Sequence, residues 1–236
     1  MQAEKQITEF VDRLKQAAGA NLDCVVLFGS AASGDFHPDF SDVNILCVVR
    51  DLSAATLAAL GPAITAWTKN KFPAPLIFSR TELEQSTDVF AIEMLDIRQR
   101  HRMLHGKDIF ANLHVPMDLH RVQLEHNLRT KLLTLRQMYI QAEGDGDRIR
   151  RLMLDSVSNF GTLFRHTLIA LGEEPAGDKA ANIKRLAEKI QFGPGIFLQL
   201  LQVRARAARE NEIDPVAGFT AYLEAIHRVV EAVDAL

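Results

Sequence analysis

No segment of this 236-residue sequence approaches the roughly eighteen consecutive apolar residues of a membrane-spanning helix, and no block of Lys or Arg occurs. With a formal net charge of −3, bulk attraction to nucleic acid or to an anionic membrane is not what organises the molecule. The stretch from Met1 to Glu9 carries no apolar core of an export signal, so a cytoplasmic location is expected. There are only two cysteines, Cys24 and Cys47, both in apolar runs and not at metal-binding spacing; they read as buried free thiols. The two commonest phosphate-cradling loops, GxGxxG and GxxxxGK[ST], are also missing, which excludes a dinucleotide-binding or P-loop reading.

What is present supports a sizeable core: 47% of residues are hydrophobic, enough for one large or two modest domains. The texture changes near residue 115, so two domains are expected, 1–115 and 116–236. In the first, Ile7, Phe10, Val11 and Leu14 recur at helical spacing, ending near Gly19. Cys24 to Phe28 then reads as a buried strand closed by Gly29, and Val43 to Val49 as another. Ser53, with Asp51, caps a helix over about 54–69, and Pro73 and Pro75 introduce a third strand at Leu76 to Phe78. Thr81 and Glu84 have capping-box spacing. The apolar run from Val89 to Ile97 fits strand or helix equally. These elements predict an α/β sandwich with a small mixed sheet.

The second domain reads as helical throughout. Leu124, Leu128, Leu132, Leu135 and Tyr139 mark one face of a helix of about 24 residues after Pro116. Gly144 to Asp147 breaks it, and a second long helix runs from Ile149 to Leu171, stopped at Gly172. Shorter helices are expected over about 178–191, 195–208 and 215–235, with starts marked by Asp178, Pro194 and Asp214. Short connections between five helices predict an antiparallel bundle.

One constellation carries chemistry. Gly29-Ser30 at the end of a buried strand allows a sharp turn whose N–H groups can meet phosphate oxygens. Twelve residues later Asp42-Val43-Asn44 opens the next strand, where alternate side chains share a face. Two carboxylates so placed would hold a pair of Mg²⁺ ions across the phosphates of a nucleotide. The segments Phe28-Gly29-Ser30-Ala31-Ala32-Ser33-Gly34-Asp35 and Ser41-Asp42-Val43-Asn44-Ile45-Leu46 resemble the signature of the DNA polymerase β-type nucleotidyltransferase superfamily. The alternating first half followed by a helical bundle is similar to the layout of kanamycin nucleotidyltransferase.

The resemblance implies Mg²⁺-dependent transfer of a nucleoside monophosphate from an NTP to a hydroxyl. It makes Gly29 and Ser30 the phosphate-binding turn, and Asp42 and Asn44 the positions of the metal ligands. Asn44 offers a neutral carbonyl where a second carboxylate is usual. The family's third carboxylate belongs on the following strand, yet Ala74 to Ser79 has none. Glu93 and Asp96 would substitute if Val89 to Ile97 is a strand facing the same side. Asp35 and Asp39 read as turn formers. The expectation is therefore a nucleotidyltransferase-fold protein, catalytically weak or inactive, that binds a nucleotide, a protein partner or a second copy of itself. The alternative is an active Mg²⁺-dependent enzyme in which Asn44 and Glu93 assist Asp42.

The remaining polar features read as structural. Arg121 and His126 have the spacing of a ribonuclease motif, but so have Arg100 and His105, and His101 with His105 makes no metal-ligand pattern. The arginines at 98, 100 and 102 and at 148, 150 and 151 read as solvated helix faces, and the histidines as solvated or capping groups.

Overall fold

The computed structural model describes residues 2–33 and 42–236. Helix α1 (Gln2–Ala18) leads into strand β1 (Leu22–Phe28) and a single turn, α2 (Ser30–Ser33). Strand β2 (Asn44–Val49), helix α3 (Ala54–Thr68) and strand β3 (Leu76–Ser79) follow, then α4 (Arg80–Gln85), α5 (Ala91–Gln99) and β4 (His101–His105). The sheet has the order β3-β2-β1-β4, with β2 parallel to β3 and both other pairs antiparallel. This is the mixed α/β arrangement that the strand periodicity predicts.

Alternation along the strands gives each sheet face its own core. Val25 and Leu27 of β1 and Ile45, Cys47 and Val49 of β2 pack with Phe10 and Leu14 of α1 and with Leu60 and Trp67 of α3. Trp67 stacks between Phe10 and Phe72, and its indole N–H donates to the carbonyl of Pro73 at 2.8 Å. The opposite residues, Cys24, Val26, Leu46 and Val48, pack with Leu83 of α4, with Ala91, Met94 and Ile97 of α5, and with Phe110. Burial pushes the Cys24 thiol up to about 11 and the Cys47 thiol up to about 12, the state of an unreactive core cysteine.

Two local expectations change. The capping box lies two residues earlier than Thr81 and Glu84: the Ser79 hydroxyl accepts from the Glu82 N–H (3.2 Å), and the Glu82 carboxylate accepts from the Ser79 N–H (2.9 Å). The ambiguous run at 89–97 is helical, and a fourth strand, β4, follows it.

Backbone contacts divide the chain into two compact units, Met1–Pro116 and Met117–Leu236. The second consists of α6 (His120–Gln141), α7 (Gly146–Ala170), α8 (Lys179–Ile190), α9 (Gly195–Arg204) and α10 (Pro215–Asp234), with a short 3₁₀ turn before the last. Helix α7 packs against all four of the others. Phe160, Phe164, Phe197 and Tyr222 fill the centre, with Phe197 and Tyr222 stacked at 4.4 Å. Among the described residues, no helix is long and apolar enough to cross a membrane.

Candidate nucleotide site

The turn leaving β1 is set by Gly29, whose φ of +74° lies in the left-handed region. The Ala32 N–H donates to the Gly29 carbonyl at 3.0 Å, folding the chain into α2, which Ser30 opens. Across the sheet, Phe28 pairs with Asn44, the first residue of β2. The Asn44 side chain reaches back over the turn: its Nδ2 lies 3.2 Å from where a Cβ on residue 29 would stand. Gly29 and Asn44 are thus brought together. Asp42 is exposed and precedes β2 by two residues, separated from Asn44 by the buried Val43.

The other strands bring no carboxylate to this end of the sheet. Neither β2, β3 nor β4 contains one. Asp23, the single carboxylate on β1, lies five residues from Phe28, about 17 Å along the strand. It is engaged there by Arg80, whose Nε–H donates to its carboxylate at 2.9 Å. The strand on which a role for Glu93 depended does not form. Residues 91–99 coil as α5, pressing Ala91, Ile92, Met94 and Ile97 into the core and leaving Glu93 exposed, with Asp96 half-buried on the same helix. Asp35 and Asp39 lie outside the described residues. Among those described, no group of three or more His, Cys, Asp or Glu side chains is placed to hold a metal ion.

On the far side of Phe28, β4 presents His101, whose partner in the ladder is Phe28 itself. Its Nδ1–H donates to the Ile97 carbonyl at 2.7 Å, and its Nε2 lies 3.2 Å from Asp108. Asp108 also accepts from the N–H groups of Phe110 and Ala111. Burial works to raise its pKa, but those N–H groups and the His101 ring together hold it below the usual carboxylate value. His101 is therefore a brace between α5, β4 and the segment after it. The sequence carries little sign of this, because Asp108 lies seven residues away and the contact is made only when β4 joins the sheet.

Several arginines of the two basic clusters are also braces. Arg98 donates to the Leu113 carbonyl, Arg102 forks onto Glu4, Arg150 reaches the Ile213 carbonyl and Asp147, and Arg151 pairs with Asp155. In the helical unit, His120 and His166 form a buried pair at 2.9 Å; 46 residues separate them, and no local pattern marks the pairing.

A four-stranded mixed sheet, a left-handed glycine turn after its first strand and an Asp-x-Asn leading into the second are the arrangement of a polymerase β-type nucleotidyltransferase fold. The family model described as the nucleotidyltransferase domain matches residues 5–126, just over half of the chain, and the protein belongs to that family. Among solved structures it is similar to a spectinomycin adenyltransferase from Enterococcus faecialis, determined with ATP and spectinomycin. The TM-score is 0.57 at 15% identity, covering 98% of this chain and 99% of that one. At that identity the likeness speaks for the fold. No curated protein sequence matches the chain.

Proposed function

We propose that this chain is a nucleotide-binding member of the nucleotidyltransferase family that transfers nucleotidyl groups weakly or not at all. The observation that carries this reading is the donor set that the described residues offer near the Gly29 turn: the neutral amide of Asn44, with one carboxylate, Asp42, two residues before it. A pair of Mg²⁺ ions bridging the phosphates of a nucleotide draws on several anionic oxygens. We infer that the described residues do not suit that pair. One missing unit charge at about 4 Å from a cation is worth about 4 kcal/mol at an effective dielectric constant near 20. That corresponds to about three decades in rate. The related fold solved with ATP supports a nucleotide as the ligand. A protein partner or a second copy of the chain is the other kind of ligand this reading admits.

The test is incubation of the purified protein with each labelled NTP, Mg²⁺ or Mn²⁺ and a cell extract, comparing wild type, Asp42→Ala and Asn44→Asp. Little or no label is expected to move with wild type. Asn44→Asp should gain metal-dependent transfer, by no more than about three decades from the restored charge alone. Robust labelling by wild type that Asp42→Ala abolishes would instead establish the active Mg²⁺-dependent enzyme.

A further inference from the structure

Resting on the nucleotide reading above, we propose that this site takes the phosphates of a nucleoside triphosphate without a divalent cation, with the Asn44 amide donating directly to a phosphate oxygen. A carboxylate and a phosphate are both anionic acceptors, so an Asp-x-Asp pair repels its ligand until a metal ion bridges them. Asparagine at the second position changes both terms. It removes a negative charge, and it supplies two N–H donors at a place where aspartate has none.

The geometry brings that amide to the turn. Nδ2 is the Asn44 atom that approaches residue 29, within 3.2 Å of the Cβ position that glycine leaves vacant. Asn44 stands opposite Phe28 at the end of the β1–β2 ladder, so its backbone is fixed while its side chain overhangs the point where β1 gives way to α2. The described anionic charge that would oppose a phosphate is reduced rather than absent, and Asp108 is already engaged by His101 and by backbone N–H groups. Among the described residues that lead into β2, Asp42 is the one carboxylate, and Asp23 is about 17 Å along β1 in its pairing with Arg80. The third carboxylate of the family pattern has no counterpart on β3 or β4. Loss of two carboxylates that would need neutralising, together with gain of a donor, changes a metal-bridged phosphate site into one that binds phosphate by hydrogen bonds.

The measurement is isothermal titration of the full chain with ATP, GTP, CTP and UTP, once in EDTA and once in Mg²⁺, for wild type, Asn44→Asp and Asn44→Ala. Thermal melts run alongside confirm that each variant is folded. Wild type is expected to bind at least one NTP with a Kd in EDTA within about threefold of that in Mg²⁺. Asn44→Asp should lose about tenfold or more in EDTA and regain it when Mg²⁺ is added, whereas Asn44→Ala should bind more weakly in both buffers. Wild-type binding that requires Mg²⁺ overturns the inference and leaves the nucleotide reading intact. Equal EDTA affinities for wild type and Asn44→Asp overturn it as well. Failure of all four NTPs to bind in either buffer removes the nucleotide reading itself, and the inference with it.

Discussion

Two glycines with left-handed backbones do different work, and substituting each separates conformational strain from steric exclusion. Gly29 has φ +74° and one neighbour, the Asn44 amide, which is the end of a side chain and can move aside. Gly106 has φ +80°, but a Cβ there would collide with the backbone carbonyl of Asp23 and with Cys24, which cannot move without breaking the β1–β4 pairing. Gly29→Ala should therefore cost about 1–2 kcal/mol, the usual strain of an L-residue in that region. Gly106→Ala should cost more than about 3 kcal/mol or fail to fold. Urea unfolding of the two variants checks the order; a larger loss for Gly29→Ala would mean that the turn is more tightly enclosed than the geometry indicates. The exit turn at Gly29 and the start of β2 at Asn44 are legible in the sequence because a glycine closes one apolar run and polar residues open the next, a pattern that a buried strand pair with a sharp exit turn produces directly. The run that holds Glu93 is ambiguous for the opposite reason. Ile92-Glu93-Met94-Leu95-Asp96 offers apolar residues at both strand and helix spacing, and only packing of Met94 and Ile97 under the sheet selects the helix.

Element boundaries were read well where one side chain satisfies the first backbone N–H groups of a helix. Ser53, Asp178 and Asp214 cap α3, α8 and α10, and each side chain accepts from N–H groups two or three residues on. The fourth strand escaped for a physical reason: His101-Arg102-Met103-Leu104-His105 has no β-branched residue and little alternation. It is a strand because β1 offers it an unsatisfied edge, a tertiary cause that a local pattern does not encode. Helix α4 shows the same limit on a smaller scale. Ser79 and Thr81 both precede a glutamate by three residues, and the end of β3 decides which of them caps. Ser79→Ala should destabilise the chain by about 1 kcal/mol through loss of the reciprocal bonds with Glu82. Thr81→Ala, already inside α4, should stay within about 0.5 kcal/mol. Chemical denaturation distinguishes the two assignments, since reversal of that order would restore the later box.

The molecule as a whole carries a pI near 6.2, so mild acid brings its net charge toward zero, and screening alone would predict little loss of stability there. The buried histidines of the helical unit predict otherwise. His120, the first residue of α6, is 2% exposed and His166 of α7 is fully buried. Arg165 donates to His166 Nε2 at 3.1 Å, so that nitrogen accepts. The proton on His166 is then on Nδ1, which donates to His120 Nε2 at 2.9 Å. Both rings are neutral in this arrangement, and a further proton would place a second cation in the same apolar setting as the Arg165 guanidinium. Burial first, and the neighbouring His166 second, depress the His120 pKa from 6.5 to about 4. Between those values the unfolded chain binds a proton that the folded chain refuses. The stability from this group is therefore complete above about pH 6.5 and is lost as pH falls toward about 4, up to about 3 kcal/mol in total. Asp108 acts in the same direction at lower pH. Its folded-state pKa is depressed below 3.8, so its contribution is present above that value and is lost as pH falls below it. The two windows are separable. Urea unfolding followed by helical circular dichroism at pH 7, 6, 5 and 4.5 should show the wild-type free energy falling by as much as about 1.4 kcal/mol per pH unit. In His120→Gln, which keeps an acceptor for His166 and removes the titration, that slope should flatten. Parallel slopes for the two proteins would place the acid sensitivity elsewhere than in the α6–α7 pair.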